Sequence, residues 1–152
     1  MSSPTVLYPI HPGPQTALMT TEAEEVLYGG AAGGGKSYGL RAWGVNYSLV
    51  NPGATVVLFR ETFPQLEETH LQKIQTEVPS SIAHYHGGRH DLIFNNGSTF
   101  MFRVCEKDED ARKHDSAEYD AMLFDELTAF SQFQYCVGLD TPILMADLSW
   151  KA

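Results

Sequence analysis

The sequence predicts an α/β fold in which a mainly parallel sheet is covered by helices. Short apolar runs alternate with helical stretches along its 152 residues. Two of these runs, at residues 54–59 and 121–124, are apolar without alternation, which is typical of strands buried on both faces. A length of 152 residues with 43% hydrophobic content suits one domain with a substantial core.

The first half of the chain can be assigned in order. Residues 25–28 are predicted to form a short strand, and a run of glycines follows it. Residues 37–50 are typical of a helix, which the Asn-Pro-Gly sequence at 51–53 ends. Apolar residues lie almost all round this helix, so we expect it to be covered on most sides. After the strand at 54–59, Pro64 is placed to open a helix that continues to about residue 78.

The second half contains two further signals. Residues 91–102 hold two strand-like runs separated by Asn-Asn-Gly at 95–97, which predicts a β-hairpin. A charged loop is expected over residues 106–120, and the strand at 121–124 then runs directly into two acidic residues. His84, His86 and His90 are too few for a zinc site without a further ligand, so we expect a solvated strand edge.

Composition limits the possible partners. The formal net charge of −9 gives no general attraction to nucleic acid or to anionic membranes. Cys105 and Cys136 are the only cysteines, which suits a reducing compartment. The N-terminus does not resemble a signal peptide, and no apolar stretch reaches the roughly 18 residues of a membrane span. We therefore expect a cytoplasmic protein without a membrane partner.

The glycine run, at 30–37, fits the phosphate-binding pattern G-x-x-x-x-G-K-[ST]. Glycines let successive backbone N–H groups converge on phosphate oxygens. Lys36 would place its ammonium group beside the β- and γ-phosphates, and the Ser37 hydroxyl would ligate Mg²⁺. A flexible linker is the alternative, but the run stands between a strand and a helix rather than between domains. The predicted ATP-binding residues of the loop are Gly30, Ala31, Ala32, Gly33, Gly34, Gly35, Lys36 and Ser37.

The acidic pair that follows the strand at 121–124 would complete such a site. Asp125 is predicted to hold Mg²⁺, usually through a bound water, and Glu126 to orient and deprotonate the attacking water. The alternative is an ordinary acidic pair at a helix N-terminus. A glutamate at this place indicates hydrolysis by an enzyme-bound base. Because no Asn-Lys-x-Asp guanine-reading motif occurs, ATP and Mg²⁺ are the predicted cofactors.

Four stretches together resemble a known family. They are "HPGPQ", "EVLYGGAAGGGKS", "VLFRETFPQLEE" and "HDSAEYDAMLFDELTAFSQFQY". Across roughly residues 11–136 they are similar to the ATPase domain of the large terminase subunit of tailed bacteriophages. The resemblance implies a RecA-like P-loop NTPase fold with an additional strand. It also implies an ATP-hydrolysing motor that packages viral DNA.

The resemblance further implies partners and a location. The partners would be double-stranded viral DNA, the portal protein, the small terminase subunit and further copies of the chain in a pentameric ring. The location would be the host cytoplasm and, transiently, the procapsid portal. Residues 1–24 would form an N-terminal arm in which Gln15 reads adenine, and residues 25–152 would form the P-loop ATPase domain.

A transition-state arginine is also expected, supplied by the same chain or by a neighbouring subunit. The candidates are Arg41, Arg60, Arg103 and Arg112. Arg112 is preferred because a polar loop before the strand at 121–124 would let it reach across a subunit interface. Arg60 is expected to have a structural or coupling role.

The sequence departs from the family after about residue 139, where an arginine-bearing segment and a coupling motif are expected. We therefore expect a chain that is truncated at its C-terminus and lacks the nuclease domain, which puts DNA cutting, translocation and completion of the sheet in doubt. Two alternatives remain open. One is another P-loop ATPase of the helicase or recombinase kind, and the other is a nucleotide-binding fragment without turnover.

Overall fold

The computed structural model describes residues 8–10, 12–22, 25–29, 35–114, 117–126, 130–131 and 143–147. Its strands are β1 (Glu25–Gly29), β2 (Thr55–Arg60), β3 (Ala83–His86), β4 (Asp91–Phe94), β5 (Thr99–Val104), β6 (Ala121–Asp125) and β7 (Ile143–Asp147). Its helices are α1 (Pro14–Thr20), α2 (Lys36–Val50), α3 (Phe63–Leu66), α4 (Gln72–Glu77) and α5 (Asp108–Arg112). A π-helical turn, Glu67–Leu71, joins α3 to α4.

The strands form one sheet in the order β1-β7-β6-β2-β5-β4-β3. The first five strands of that order run parallel to one another: β1, β7, β6, β2 and β5. Strand β4 is antiparallel to β5, and β3 is antiparallel to β4. The prediction of a mainly parallel α/β sheet is therefore confirmed, and so is the hairpin, whose strands are β4 and β5. Gly97 takes the positive φ of 88° that its turn requires.

Strand β7 was not predicted from the sequence. It lies between β1 and β6 and pairs in parallel with both, so that Leu144 lies opposite Val26 on one side and Leu123 on the other. An additional strand thus separates the strand that leads into the glycine run from the strand that ends at Asp125. The sequence left the completion of the sheet in doubt, and the structure shows that the sheet is continuous from β1 through β7 to β6.

The two faces of the sheet carry separate apolar clusters. Val56 and Leu58 of β2 join the larger cluster, which contains side chains of α2, α3, α4 and β5. Val57 and Phe59, which alternate with them, join a smaller cluster on the other face with Phe124 of β6. Because side chains alternate between faces along a strand, an unbroken apolar run is what two covered faces require.

Helix α2 packs closely against the sheet. A Cβ atom at Gly44 would collide with the ring of Phe100 on β5, so this helix position needs glycine. The expectation that α2 is covered on most sides is correct for its first three turns and wrong for its end, where Leu49 is 39% exposed and Val50 is 64% exposed.

The region between β5 and β6 also differs from expectation. Residues 108–112, predicted as part of a charged loop, form the short helix α5. The Asp110 carboxylate accepts hydrogen bonds from the backbone N–H groups of Glu106 and Lys107, and three acidic residues in the first turn suit the positive end of the helix dipole. Within the described ranges, every helix is too short or too polar to span a bilayer.

Candidate active site

The candidate site lies at the carboxyl end of β6, beside the first turn of α2. Ligands of α/β sheets bind beyond the carboxyl ends of the parallel strands, and both β1 and β6 end at this edge. The predicted phosphate-binding residues Gly30, Ala31, Ala32, Gly33 and Gly34 lie outside the described residues. The remaining predicted residues of the loop, the acidic pair and Gln15 are described.

Gly35 forms the N-cap of α2 in a left-handed conformation, with φ of 69° and ψ of 24°. This backbone conformation favours glycine, and a Cβ atom there would lie 2.5 Å from Nε2 of Gln15, so a larger residue would also displace the Gln15 side chain. The Gln15 side chain is 4% exposed, and its Nε2 donates a hydrogen bond to the Gly35 carbonyl at 3.3 Å. The structure therefore places Gln15 beside the end of the glycine run. Its adenine-reading role stays a prediction.

Lys36 and Ser37 occupy the first turn of α2. Backbone N–H groups and the positive end of the helix dipole at this turn favour an anion. Lys36 is 5% exposed. The Ser37 hydroxyl donates a hydrogen bond to Oδ2 of Asp125 at 2.8 Å, although the two residues are 88 positions apart. Two residues predicted to hold Mg²⁺ from different strand–helix units thus lie in contact.

The donors present suit Mg²⁺. This ion prefers oxygen ligands and usually binds through one or two protein groups, with waters and substrate phosphates completing its shell. Ser37 and Asp125 offer a hydroxyl and a carboxylate side by side. Within the described ranges, the candidate site included, no group of three or more His, Cys, Asp or Glu side chains is arranged to hold a metal by itself. His84 and His86 are exposed on β3, at the edge of the sheet.

Asp125 is almost fully buried, and three groups contact its Oδ2 atom. These are the Ser37 hydroxyl, Nε2 of His70 at 2.7 Å and Nη1 of Arg60 at 3.4 Å. Burial by itself would raise the pKa of Asp125, but the hydrogen bonds from His70 and Ser37 and the charge of Arg60 outweigh it. The pKa therefore lies below its usual value, and the carboxyl group is ionised at neutral pH.

Glu126 follows directly, with a positive φ of 59°. Only a few per cent of residues other than glycine adopt this region, at a cost of about 1–3 kcal/mol, and such residues cluster at functional sites. Its Oε1 atom lies 3.6 Å from Nη1 of Arg60. Arg60 at the end of β2 is thus shared by the two acids, while its Nε and Nη1 atoms are buried and have no hydrogen-bond partner in the described part of the chain.

The four candidate arginines lie in different surroundings. Arg60 is next to the acids. Arg41 is buried and paired with Glu77, and Arg103 pairs with Asp91 at 2.8 Å. The structure therefore does not bring Arg41 or Arg103 to the acidic pair. Arg112 is exposed on α5 instead of in the predicted loop, and its contribution across a subunit interface stays a prediction.

Sequence reasoning missed His70. This side chain is fully buried, lies in the π-helical turn and contacts Asp125 directly. The one signal for it is spacing: Leu66, His70 and Ile74 are four residues apart, which places them on one helix face, and all three are buried. A histidine on an otherwise apolar face needs a polar partner, and here that partner is the predicted metal-binding acid.

Comparisons with known proteins give the family and the fold of the chain. The sequence family described as "Terminase large subunit, T4likevirus-type, N-terminal" matches residues 27–147. A comparison with curated protein sequences gives no match.

Solved structures give the fold. The large terminase ATPase domain of Thermus phage P74-26 superposes with a TM-score of 0.67 at 17% identity, covering 91% of this chain and 64% of that one. A large terminase of a thermophilic bacteriophage superposes with a TM-score of 0.72 at 10% identity, covering 91% of this chain and 39% of that one. The same phage protein in complex with ATP-gamma-S gives a TM-score of 0.67 at 12% identity, with 91% and 38% covered.

At these identities the likeness establishes the fold, which is the RecA-like fold of terminase ATPase domains. The chain spans 64% of the Thermus phage domain and less of the longer terminase. The family match extends over most of the chain, from the strand before the glycine run to the additional strand β7. The chain therefore belongs to the family of phage terminase large subunits, to their N-terminal part.

Proposed function

We propose that this chain binds and hydrolyses Mg-ATP, and that it does so as the motor domain of a phage terminase. The observation that carries the proposal is the contact between Ser37 and Asp125, with Glu126 next in the chain. Mg-nucleotide enzymes hold the metal with two groups. One is a hydroxyl at the start of the helix that follows the phosphate-binding sequence, and the other is an ionised, buried carboxylate beside it.

Each residue has a distinct part in this mechanism. The backbone N–H groups of residues 30–37 and the ammonium of Lys36 bind the phosphates, and Gln15, which lies beside Gly35, is assigned the contact with adenine. Ser37 and Asp125 would hold Mg²⁺, which would supply positive charge against the phosphates. Arg60 keeps positive charge beside both acids, which favours the ionised form of Asp125.

Glu126 acts on the attacking water. Its carboxylate accepts a proton from the water as the water oxygen forms a bond to the γ-phosphorus. The bond between the γ-phosphorus and the bridging oxygen breaks, and ADP leaves with the electron pair. The products are ADP and inorganic phosphate, and the proton on Glu126 then returns to solvent. The strained backbone at Glu126 supports this assignment, because such strain is stable only where the surroundings enforce it.

The wider role follows from the family. As a packaging motor, the chain would act in the host cytoplasm at the procapsid portal, in a ring of copies supplied with viral DNA by the small terminase subunit. The net charge of −9 means that any DNA contact must be local or must come from other parts of the assembly. The family match favours this role over a helicase-like or recombinase-like ATPase.

The test compares the unmodified chain with Glu126→Gln, which keeps the shape and removes the base. We expect ATP turnover to fall by about 10²–10⁴-fold while ATP affinity changes little. Glu118→Gln, at an exposed position before β6, is the matched control and should turn over ATP like the unmodified chain. Hydrolysis by Glu126→Gln at the unmodified rate would contradict the assigned role.

A further inference from the structure

His70 contacts a different charged group through each of its two ring nitrogens. Nε2 lies 2.7 Å from Oδ2 of Asp125, and Nδ1 lies 3.3 Å from Nη1 of Arg41. The ring is fully buried, so these contacts are not exchanged with water. A buried imidazole between a carboxylate and a guanidinium can have only a restricted set of protonation states.

The chemistry of arginine selects one of them. A guanidinium group has hydrogen-bond donors and no acceptor, so Nδ1 of His70 must accept the hydrogen bond from Arg41 and carries no proton. The proton of the neutral ring is then on Nε2, from which it is donated to Asp125.

Arg41 cannot move away to leave Nδ1 free. Its Nε and Nη2 atoms form a forked pair with Glu77, at 3.0 Å and 2.9 Å, and Nη1 also donates to the Thr69 carbonyl at 2.9 Å. Glu77 in turn accepts a hydrogen bond from the Tyr8 hydroxyl at 2.7 Å. Besides His70, Glu77 and Thr69 thus hold the guanidinium directly, and Tyr8 holds Glu77 in place.

The backbone also has an unusual form at this place. Thr69 and His70 belong to the π-helical turn between α3 and α4. Single π-helical turns within helices occur often at functional sites. Here the turn contains both the carbonyl that accepts from Arg41 and the ring that donates to Asp125.

We propose that His70 is a positioning residue for Asp125, and that Arg41 holds His70 in the tautomer that this task needs. The inference rests on the proposed function, because it concerns the acid that holds Mg²⁺ there. By fixing Oδ2, the Nε2–H group of His70 orients the carboxylate next to the Ser37 hydroxyl. A group that orients a metal ligand in this way contributes about 10–100-fold to metal affinity.

The first test measures how nucleotide binding depends on Mg²⁺. Binding of a fluorescent ATP analogue is followed in EDTA and over a Mg²⁺ titration for the unmodified chain, His70→Leu and His70→Gln. We expect His70→Leu to raise the Mg²⁺ concentration at half-effect by about 10-fold or more, with unchanged affinity in EDTA. His70→Gln keeps a neutral N–H donor of similar reach and should stay near the unmodified value. His84→Leu, at an exposed position on β3, is the control and should have no effect.

The second test does not depend on nucleotide. Nitrogen-15 spectra of the histidine rings, with the His70 signals assigned from their loss in His70→Gln, report the protonation of each ring nitrogen. We expect a neutral ring with the proton on Nε2 at neutral pH. A proton on Nδ1, or on both nitrogens, would overturn the proposal.

The outcomes separate the two proposals. If the unmodified chain binds no ATP analogue with Mg²⁺, the proposed function is wrong, and the spectra alone decide whether Arg41 sets the tautomer of His70. If the unmodified chain binds and His70→Leu needs no more Mg²⁺, the positioning role is wrong and the proposed function stands. Should His70→Leu fail to fold, the result for His70→Gln decides. A Mg²⁺ concentration at half-effect about 10-fold above that of the unmodified chain would contradict the role of the N–H donor, because glutamine keeps that donor.

Discussion

The contact between Gln15 and Gly35 gives a prediction whose size can be worked out from the structure. Replacing Gly35 with alanine forces a side chain into the left-handed region, where φ is 69°, and sets the new Cβ atom 2.5 Å from Nε2 of Gln15. The backbone strain costs about 1–2 kcal/mol. Displacing Gln15 also breaks its hydrogen bond to the Gly35 carbonyl, which is worth about 0.5–1.5 kcal/mol.

The chain offers a matched control for the strain alone. Gly53 has a similar φ of 78°, and a Cβ atom there meets nothing within 4 Å. Gly53→Ala should therefore lower the free energy of unfolding by the strain term only, about 1–2 kcal/mol. Gly35→Ala should lower it by about 1 kcal/mol more. The smaller unfolded-state entropy of alanine affects both variants alike and does not enter the difference.

Urea unfolding followed by circular dichroism measures the difference. With m-values of about 1–3 kcal/mol/M, an extra 1 kcal/mol shifts the midpoint by about 0.3–1 M. In a Gln15→Ala background the side chain that collides with the new Cβ atom is gone. Gly35→Ala should then lower the free energy of unfolding only as much as Gly53→Ala does. Equal costs for the two glycine variants, with no effect of Gln15→Ala, would refute the docking of Gln15 on the loop.

Three further predictions concern the nucleotide, the assembly and a buried thiol. Lys36→Ala should abolish ATP binding in calorimetry, because it removes the ammonium placed for the phosphates; equal affinity would contradict the phosphate-binding assignment. If the transition-state arginine comes from a neighbouring subunit, specific activity should rise with protein concentration, since such an arginine contributes about 10³–10⁵-fold; a fast monomer would exclude this. Burial raises the pKa of the Cys105 thiol to about 11, so alkylation of its peptide, read by mass spectrometry at pH 8, should be slow in the native chain and rapid in urea.

Much of the fold could be predicted because local signals agree with it. The unbroken apolar run that became β2 and the Asn-Asn-Gly turn between β4 and β5 each specify one structure by themselves. Helix α5 was missed because its residues are all polar or charged apart from Ala111, so no apolar stripe marks it. Strand β7 was missed because four of its five residues form an ordinary short apolar run, and only its place between two distant strands makes it part of the sheet.

The residues of the site also differ in whether nearby sequence is enough to predict them. The phosphate-binding pattern and the acidic pair are each contiguous in sequence, so they could be recognised from spacing alone. His70 has no such neighbours: its partners Arg41 and Asp125 are 29 and 55 positions away. What brings the three together is the packing of α2 and the π-helical turn on one face of the sheet. The residues that hold a reacting group in its orientation are therefore the ones for which a three-dimensional structure is needed, since their chemistry is defined by contacts that spacing does not encode.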